Sequence, residues 1–183
     1  MPADDAPAIS GAAPDSHCAH CGGRLPAGAG WPRVCGRCGR STYRNPLPVA
    51  VALLPVRPRS GPAGLVVVRR TIRPQRGELA LPGGFIDHGE LWQRAVAREL
   101  AEETGITARE EEVRLADVLS STDGHLLIFG LLAERDVTAL PPSEPTDETE
   151  GWELLPAPVP LAFPLHTRAA RNWFEGRYHR TGG

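Results

Sequence analysis

Long hydrophobic runs are missing from this sequence of 183 residues, although 41% of the residues are hydrophobic. No apolar stretch reaches the length that a membrane-spanning helix needs, so an integral membrane protein is not expected. The N-terminal segment also lacks a basic region followed by an apolar one, which is the pattern of a secretory signal. We therefore expect residues 1–15 to form a disordered tail and the protein to be cytoplasmic.

Lysine is absent as well, and all twenty basic residues are arginine. Residues 16–77 contain eleven arginines and no acidic residue, whereas residues 78–153 contain five arginines and eighteen acidic residues. A basic segment attracts phosphates or nucleic acid through its electrostatic field, and an acidic segment attracts cations. The net charge of −2 is therefore the sum of a basic part that attracts anions and an acidic part that attracts cations.

Internal repeats are also absent, and no Ser, Cys or His group stands out as a nucleophilic triad. The first absence excludes a solenoid, and the second gives no indication of covalent catalysis. The length suffices for one domain with a full hydrophobic core and a small additional unit.

Four cysteines form two CxxC pairs separated by thirteen residues: Cys18 and Cys21, then Cys35 and Cys38. Four thiolates at this spacing complete a tetrahedral Zn²⁺ site with no open position, which is typical of structural zinc. Disulfides are the alternative, but they are rare in cytosolic proteins. We predict a zinc ribbon over residues 16–41, which is too short to fold around a core without its metal.

The predicted ribbon is basic, and this allows two interpretations of its role. Its arginines could contact nucleic acid, but only Trp31 and Tyr43 are available to stack on bases. We therefore favour a packing or homodimerisation role over nucleic-acid binding. The basic residues of this segment are Arg24, Arg33, Arg37, Arg40 and Arg44.

Hydrophobic periodicity predicts an alternation of strands and helices after the ribbon. Residues 49–56 are almost all apolar, which indicates a strand buried on both faces. Residues 141–149 are rich in proline and acidic residues and are predicted to form a loop. The remaining strands are expected over residues 65–70, 78–82, 113–119, 126–133 and 152–155, with helices over 91–104 and 166–175.

The helix over residues 91–104 has three acidic side chains on one face. Glu99, Glu102 and Glu103 have the spacing i, i+3 and i+4, so their carboxylates lie together and repel one another. A cation would compensate this repulsion, and oxygen ligands of this type suit Mg²⁺ or Mn²⁺. We also expect an ion pair between Glu90 and Arg94, which are four residues apart.

The full pattern resembles the signature motif of the Nudix hydrolases at every fixed position. Gly84 is followed by five residues, Glu90, seven residues, and then the sequence Arg98-Glu99-Leu100-x-Glu102-Glu103-x-Gly105-Ile106. The resemblance implies an α/β (α+β) fold over residues 42–183, in which a mixed sheet lies between helices as an α/β/α sandwich. It also implies hydrolysis of a nucleoside diphosphate that is linked to another group.

The resemblance further implies roles for individual residues. Glu102 and Glu103 would bind Mg²⁺ or Mn²⁺ together with the carbonyl oxygen of Gly83. Glu99 would either bind the metal or accept a proton during catalysis. Arg98 and Glu90 would hold these carboxylates in place, and Gly84 would support the same site. Arg98 would also take part in catalysis together with Glu99.

Many family members use one more carboxylate, which comes from a loop late in the domain. We choose Glu148 as this catalytic residue, ahead of Asp147, Glu144 and Asp123. The segment Phe163-Pro-Leu-His166-Thr and Trp152 could stack on a nucleobase, and Trp152 and Phe163 are our candidates for substrate binding. Packing in the hydrophobic core is the alternative role for each, and it is the more common one.

The ribbon and the segment Tyr43-Arg-Asn-Pro46 resemble the NADH pyrophosphatases of the same family. The Ser-Gln-Pro-Trp-type segment that follows the motif in that branch is absent here. We favour a dinucleotide or ADP-sugar, such as NAD(H) or ADP-ribose, as the substrate. The alternatives are a modified nucleoside triphosphate, or a nucleotide sensor whose ribbon binds nucleic acid.

Overall fold

The structure, a computed structural model, describes residues 15–28 and 30–178. Nearly all of the tail predicted over residues 1–15 therefore lies outside the described residues. The chain divides into two compact units between Asn45 and Pro46. The predicted boundary after residue 41 lies four residues before this division.

The first unit is built around its cysteines. Strands β1 (Arg33–Val34) and β2 (Ser41–Thr42) form an antiparallel pair. Each CxxC pair is followed by a glycine in the left-handed region, Gly22 with φ 68° and Gly39 with φ 70°. The N–H of each glycine donates to the carbonyl oxygen of the first cysteine of its pair. Glycine adopts this conformation without steric cost, so the sequence favours both tight turns.

Over its described residues, 46–178, the second unit consists of short strands and two α-helices, joined by loops and two 3₁₀ turns. Neither helix is long and apolar enough to span a membrane, and this holds for the whole described part of the chain. The elements are β3 (Leu47–Leu53), β4 (Pro55–Arg57), β5 (Gly64–Arg70), β6 (Leu79–Ala80), β7 (Gly83–Phe85), α1 (Trp92–Thr104), β8 (Arg114–Ser120), β9 (His125–Leu131), β10 (Arg135–Asp136), β11 (Thr149–Leu155) and α2 (Pro164–Phe174).

Both sheets of the second unit are mixed. The four-stranded sheet has the order β7-β3-β9-β8, in which β3 and β9 are parallel and the other pairs are antiparallel. The five-stranded sheet has the order β10-β4-β5-β11, with β6 also paired to β5. Its β10 and β4 are parallel. The expected α+β class with mixed sheets is therefore confirmed.

From Ala50 onward, strand β3 is buried on both faces, which explains the unbroken apolar sequence there. Ala50 and Ala52 pack in the hydrophobic cluster that contains α1. Val51 and Leu53 pack in the cluster that contains α2. Because successive side chains of a strand point to opposite faces, the two helices cover opposite faces of β3.

Helix α1 has the predicted bounds to within one residue. It ends where Gly105 adopts a φ of 71° and donates its N–H to the carbonyl oxygen of Ala101. Val96 and Leu100 are fully buried. Gly130 on β9 allows this close approach, because a Cβ there would lie 2.9 Å from a methyl group of Val96.

Three local expectations require correction. Arg94 pairs with Glu110 at 2.7 Å, and Glu90 pairs instead with Arg98. The strand predicted over residues 78–82 is shorter, β6 at Leu79–Ala80, and it is followed by β7, which belongs to the other sheet. Helix α2 begins earlier than predicted because Pro164 occupies its first turn, where proline needs no N–H partner.

Candidate active site

A cavity of about 920 Å³ lies beside α1 and β7 in the second unit. Its volume is within the range of small-molecule binding sites. Arginines and aromatic rings share its walls with acidic residues. The charged and aromatic lining residues are Arg70, Phe85, Asp87, Arg98, Glu99, Glu102, Glu103, Arg73, Asp123, His125, Asp147, Glu148, Phe163 and His166.

Glu103 is the buried carboxylate of this cavity, with only 6% of its surface exposed. The N–H of Gly83 donates to its Oε2 at 3.0 Å. Burial raises the pKa of Glu103 to about 8, and the negative charges of Glu99 and Glu148 act in the same direction. A positive charge close to Glu103 would therefore stabilise its ionised form.

Two glycines of β7 allow its neighbours to approach closely, α1 at Gly84 and β3 at Gly83. A Cβ on Gly84 would lie 2.5 Å from the carboxylate of Glu99. A Cβ on Gly83 would collide with the carbonyl oxygen of Ala50 on β3. Gly83 is therefore required by the close approach of β3, whereas a side chain at Gly84 would displace the Glu99 carboxylate.

Arg98 lies among the acidic side chains and holds three of them. Its Nε and Nη2 each donate to one carboxylate oxygen of Glu90 at 2.9 Å. Its Nη1 donates to Glu99 at 2.6 Å and to Glu102 at 3.1 Å. The hydrogen bonds raise the pKa of Arg98 and lower that of Glu90. A bidentate pair of this kind fixes both side chains.

Glu99 and Glu102 differ in their surroundings. Glu99 is half-buried, and burial raises its pKa although Arg98 opposes the shift. The side chain of Glu102 is 59% exposed. Glu148 is exposed and lines the cavity, as do Asp147 and Asp123, whereas Glu144 does not.

The carboxylates supply hard oxygen ligands that suit Mg²⁺ or Mn²⁺. Burial is the main cause of the raised pKa values of Glu99 and Glu103, and the charge of Glu148 raises both further. Arg98 contacts both Glu99 and Glu102, and within the described ranges these glutamates do not form a compact group of ligand atoms. The donor chemistry fits a divalent cation, with Arg98 holding two of the side chains.

The four cysteines of the first unit do form a compact group. Their sulfur atoms all lie within 4.8 Å of one another, and two of the Sγ–Sγ distances are 3.7 Å. Four sulfurs at about 2.3 Å from a central Zn²⁺ would lie about 3.8 Å apart in a tetrahedron. The backbone N–H of His20 lowers the pKa of Cys18 to about 6, whereas burial and the neighbouring sulfurs raise that of Cys38 to about 11, although the backbone of Arg40 opposes the shift. The four sulfurs therefore interact closely, as the distances between them also indicate.

The two aromatic candidates for substrate binding lie in different places. Phe163 lines the cavity, and the guanidinium of Arg70 lies 5.3 Å from its ring centroid. Trp152 does not line the cavity and packs in the hydrophobic cluster that contains α1. Its expected contact with substrate is therefore not compatible with its position.

Arg70 is a cavity residue that the sequence did not single out, whereas His166 lies in a segment that it did. His166 is buried, and its Nδ1 accepts a hydrogen bond from the N–H of Leu81 at 3.3 Å. Burial lowers the pKa of His166 to about 3, so the ring is neutral at physiological pH. The sequence feature that points to His166 is its position as a single histidine in the mainly apolar segment that begins α2.

Known proteins share this sequence and architecture. Residues 46–175 match the model of the NUDIX domain. The chain is 33% identical over 103 residues to an ADP-ribose pyrophosphatase of Methanocaldococcus jannaschii, covering 54% of this chain and 59% of that protein. It is 30% identical over 158 residues to the NAD-capped RNA hydrolase NudC of Chromobacterium violaceum, covering 79% of this chain and 54% of that one. The chain therefore spans little more than half the length of these two relatives.

Solved structures agree in fold. A NUDIX hydrolase from Nitrosomonas europaea superposes with a TM-score of 0.67 at 23% identity, over 92% of this chain and 95% of that one. The NUDIX domain of NrtR from Shewanella oneidensis, solved in complex with ADP ribose, gives a TM-score of 0.61 at 21% identity, over 74% and 90%. Since the domain match covers most of the chain and the carboxylates of its signature motif meet at one cavity, this protein belongs to the Nudix family.

Proposed function

We propose that this protein hydrolyses a pyrophosphate bond in a nucleoside diphosphate linked to another group, with Mg²⁺ or Mn²⁺ as its cofactor. A dinucleotide or ADP-sugar, such as NAD(H) or ADP-ribose, is the favoured substrate. The observation that carries this proposal is the buried carboxylate of Glu103, held by Gly83 at the floor of a cavity of about 920 Å³. The names of the relatives, an ADP-ribose pyrophosphatase and a NAD-capped RNA hydrolase, support the same substrate class.

The reaction requires that anionic oxygens and a nucleophile approach each other. A divalent cation, when bound, neutralises the pyrophosphate and activates water. Glu99, Glu102, Glu103 and the carbonyl oxygen of Gly83 would hold the cation. Arg98 keeps its carboxylate partners in place through the hydrogen bonds described above.

Two further groups contribute to the proposed chemistry. Glu148 would take the proton from the attacking water, since it lines the cavity and interacts electrostatically with Glu99 and Glu103. Arg70 and Arg73 line the same cavity. They would bind phosphate oxygens that the cation does not reach, because guanidinium groups match the geometry of phosphate.

The decisive experiment compares Glu103→Gln with the wild-type protein. Both are incubated with Mg²⁺ and a panel of NAD(H), ADP-ribose and modified nucleoside triphosphates, and the products are identified by mass. We expect wild type to release a nucleoside monophosphate from at least one diphosphate-linked substrate. Glu103→Gln should lower kcat by two or more orders of magnitude, as losses of preorganised electrostatic groups do.

Glu111→Gln is the matched control, since Glu111 is exposed and lies outside the cavity. Its turnover should equal that of wild type. Unchanged turnover in Glu103→Gln would refute the mechanism. Cleavage of triphosphates alone would favour the alternative substrate class, and tight binding without cleavage would favour a nucleotide sensor.

For the first unit we propose a structural Zn²⁺ bound by Cys18, Cys21, Cys35 and Cys38. We also propose that this unit serves packing or homodimerisation rather than nucleic-acid binding. A cytoplasmic location agrees with the reduced cysteines.

A further inference from the structure

Residues 143–148, which we call the acidic loop, precede β11 and bring the carboxylates of Asp147 and Glu148 to the cavity. Glu148 interacts electrostatically with Glu99 and Glu103, and the three carboxylates repel one another when they are ionised. This repulsion favours a loop that moves away from α1. Contacts other than those of its carboxylates must therefore keep the acidic loop at the cavity.

The first such contact is with Thr71, which follows β5. Its backbone N–H donates to the carbonyl oxygen of Glu148 at 2.8 Å. Its hydroxyl donates to the carbonyl oxygen of Asp147 at 3.1 Å. These two hydrogen bonds attach the acidic loop to the strand that carries Arg70, another residue of the cavity.

The second contact is with α1 and is made by Thr149, of which only 1% is exposed. Its hydroxyl donates to the carbonyl oxygen of Glu103 at 2.9 Å. This carbonyl belongs to the last turn of α1, where carbonyl groups have no partner within the helix. The hydroxyl of Thr149 therefore makes a hydrogen bond that the helix itself cannot make, and it does so at the residue whose carboxylate lies at the floor of the cavity.

A series of hydrogen bonds connects this contact to Glu148. Because the single hydroxyl proton of Thr149 is donated to Glu103, the hydroxyl of Thr146, at 3.1 Å, donates to Thr149. The hydroxyl oxygen of Thr146 accepts in turn from the backbone N–H groups of Glu148 at 3.3 Å and of Thr149 at 3.1 Å. The series thus runs from the backbone of Glu148 through two hydroxyls to the backbone of Glu103. Hydrogen bonds in such a series strengthen one another in a protein interior.

Gly151 allows the acidic loop to pack closely on the start of β11. Its φ is 100°, and its N–H donates to the hydroxyl of Thr149 at 3.3 Å. A Cβ at this position would lie 2.5 Å from the hydroxyl oxygen of Ser143 and 3.1 Å from the carbonyl oxygen of Glu144. Both ends of the acidic loop are therefore held close to Thr149.

We propose that Thr149 is a positioning residue, whose hydroxyl ties the acidic loop to the carbonyl oxygen of Glu103 and so holds Glu148 beside the carboxylates of α1. The proposal rests on the proposed function, in which Glu148 takes the proton from the attacking water. Thr149 itself touches no reacting atom in this mechanism. It acts through the place that it gives to Glu148.

The first test removes the hydroxyl while keeping nearly the same side-chain shape, in the variant Thr149→Val. We expect kcat with Mg²⁺ to fall about tenfold to a hundredfold, because a displacement of about 1 Å at a catalytic group has an effect of this order. KM should change little, since the substitution removes no group that binds the substrate. Thr149→Ser keeps the hydroxyl and should keep a kcat close to that of wild type.

Thr104→Val is the matched control, since Thr104 is a buried threonine at the same end of α1, with 2% of its surface exposed. Its hydroxyl donates to the carbonyl oxygen of Leu100 and accepts from the N–H of Ile106, so it bonds within residues 100–106. This control loses a buried hydroxyl without loosening the acidic loop and should keep its kcat. Equal losses of kcat in Thr149→Val and Thr104→Val, or in Thr149→Val and Thr149→Ser, would overturn the proposal.

A double variant tests whether Thr149 acts through Glu148. Glu148→Gln removes the proposed base and should lower kcat by about a hundredfold or more. Adding Thr149→Val to this variant should lower kcat no further, because two residues that act as one unit do not have additive effects. Effects that multiply would show that the hydroxyl acts elsewhere, and normal turnover in Glu148→Gln would remove the group that Thr149 is proposed to place.

Hydrogen exchange separates this proposal from the proposed function, because it needs no turnover. The N–H of Thr71 donates to Glu148, so its exchange in the metal-free protein reports whether the acidic loop is held. We expect Thr149→Val to speed this exchange about tenfold or more, since exchange requires local opening. Thr104→Val should not change it. Unchanged exchange in Thr149→Val would refute the proposal. If the exchange follows the expected pattern but wild type cleaves no diphosphate, the proposed function fails and the attachment of the loop by Thr149 stands.

Discussion

Glu103 combines burial with negative charge, and this combination has a consequence for stability. In the metal-free protein its pKa is raised from 4.5 to about 8, mainly by burial. Between these values the unfolded state releases the proton while the folded state retains it. The free energy of unfolding therefore falls as the pH rises through this window, by up to about 5 kcal/mol. Below pH 4.5 the effect is absent, because both states are protonated.

The Glu103→Gln variant removes this titration and should be more stable than wild type at alkaline pH. Measured with EDTA, its unfolding midpoint should exceed that of wild type by several degrees at pH 8.5. The two midpoints should converge near pH 4.5. Added Mg²⁺ should stabilise wild type at pH 8.5 more than the variant. A difference between the two proteins that does not vary with pH would contradict the burial of a charged carboxylate.

Individual site residues could be predicted where the motif fixes them, but not where distant elements bring them together. The motif gave the glutamates and Arg98, and their meeting at one cavity agrees with it. Arg70 and His166 come from β5 and α2, so their proximity depends on tertiary structure. Trp152 packs in the cluster that contains α1, which is the alternative role that its sequence allowed, and only the tertiary structure distinguishes that role from a contact with substrate.

At the scale of elements, α1 was the most predictable part of the fold. Its apolar face and the terminal Gly105 are local signals, and the observed bounds are Trp92–Thr104. The partner of Arg94 was wrong because Glu110 approaches from a separate 3₁₀ turn. Pro82 and Gly83 indicate that β6 ends before β7 begins, but the membership of the two strands in different sheets depends on tertiary structure.

The contact between α1 and β7 makes a specific prediction for Gly84→Ala. The added methyl group would meet the Glu99 carboxylate at 2.5 Å, so the carboxylate must move. A displacement of about 1 Å at a catalytic group lowers the rate on the order of a hundredfold. We expect kcat to fall by about this factor, whereas the free energy of unfolding falls by only about 1–3 kcal/mol.

Gly30→Ala is the control for this substitution. Its Cβ would have no heavy atom within 4 Å, and its φ is not positive. Turnover and unfolding midpoint should both match wild type. A Gly84→Ala protein with normal kcat would show that Glu99 does not need its observed position.

At the scale of the whole molecule, the basic part and the acidic part of the sequence both contribute side chains to one cavity. Arg70 and Arg73 belong to the basic part of the chain, and the carboxylates belong to the acidic part. The fold places both around the same volume. Composition predicted the two charge preferences, but it could not predict that both serve a single site, because this depends on the pairing of β5 with β6 and β11.

The proposed catalytic residues and the proposed zinc ligands lie in different units, and this leads to a prediction about zinc. All residues that line the cavity lie between Val49 and His166, whereas the cysteines lie in the first unit. We expect elemental analysis to find about one zinc per chain. The double variant Cys35→Ser, Cys38→Ser should lose this zinc, because two thiolates cannot complete the site. Since the substitutions leave every cavity residue intact, its kcat with Mg²⁺ should stay within a few-fold of wild type.

Sedimentation of the same variant tests the dimerisation role, which predicts a lower mass for the variant than for wild type. Loss of turnover to the level of Glu103→Gln would show that the ribbon takes part in catalysis, contrary to the structural role proposed here.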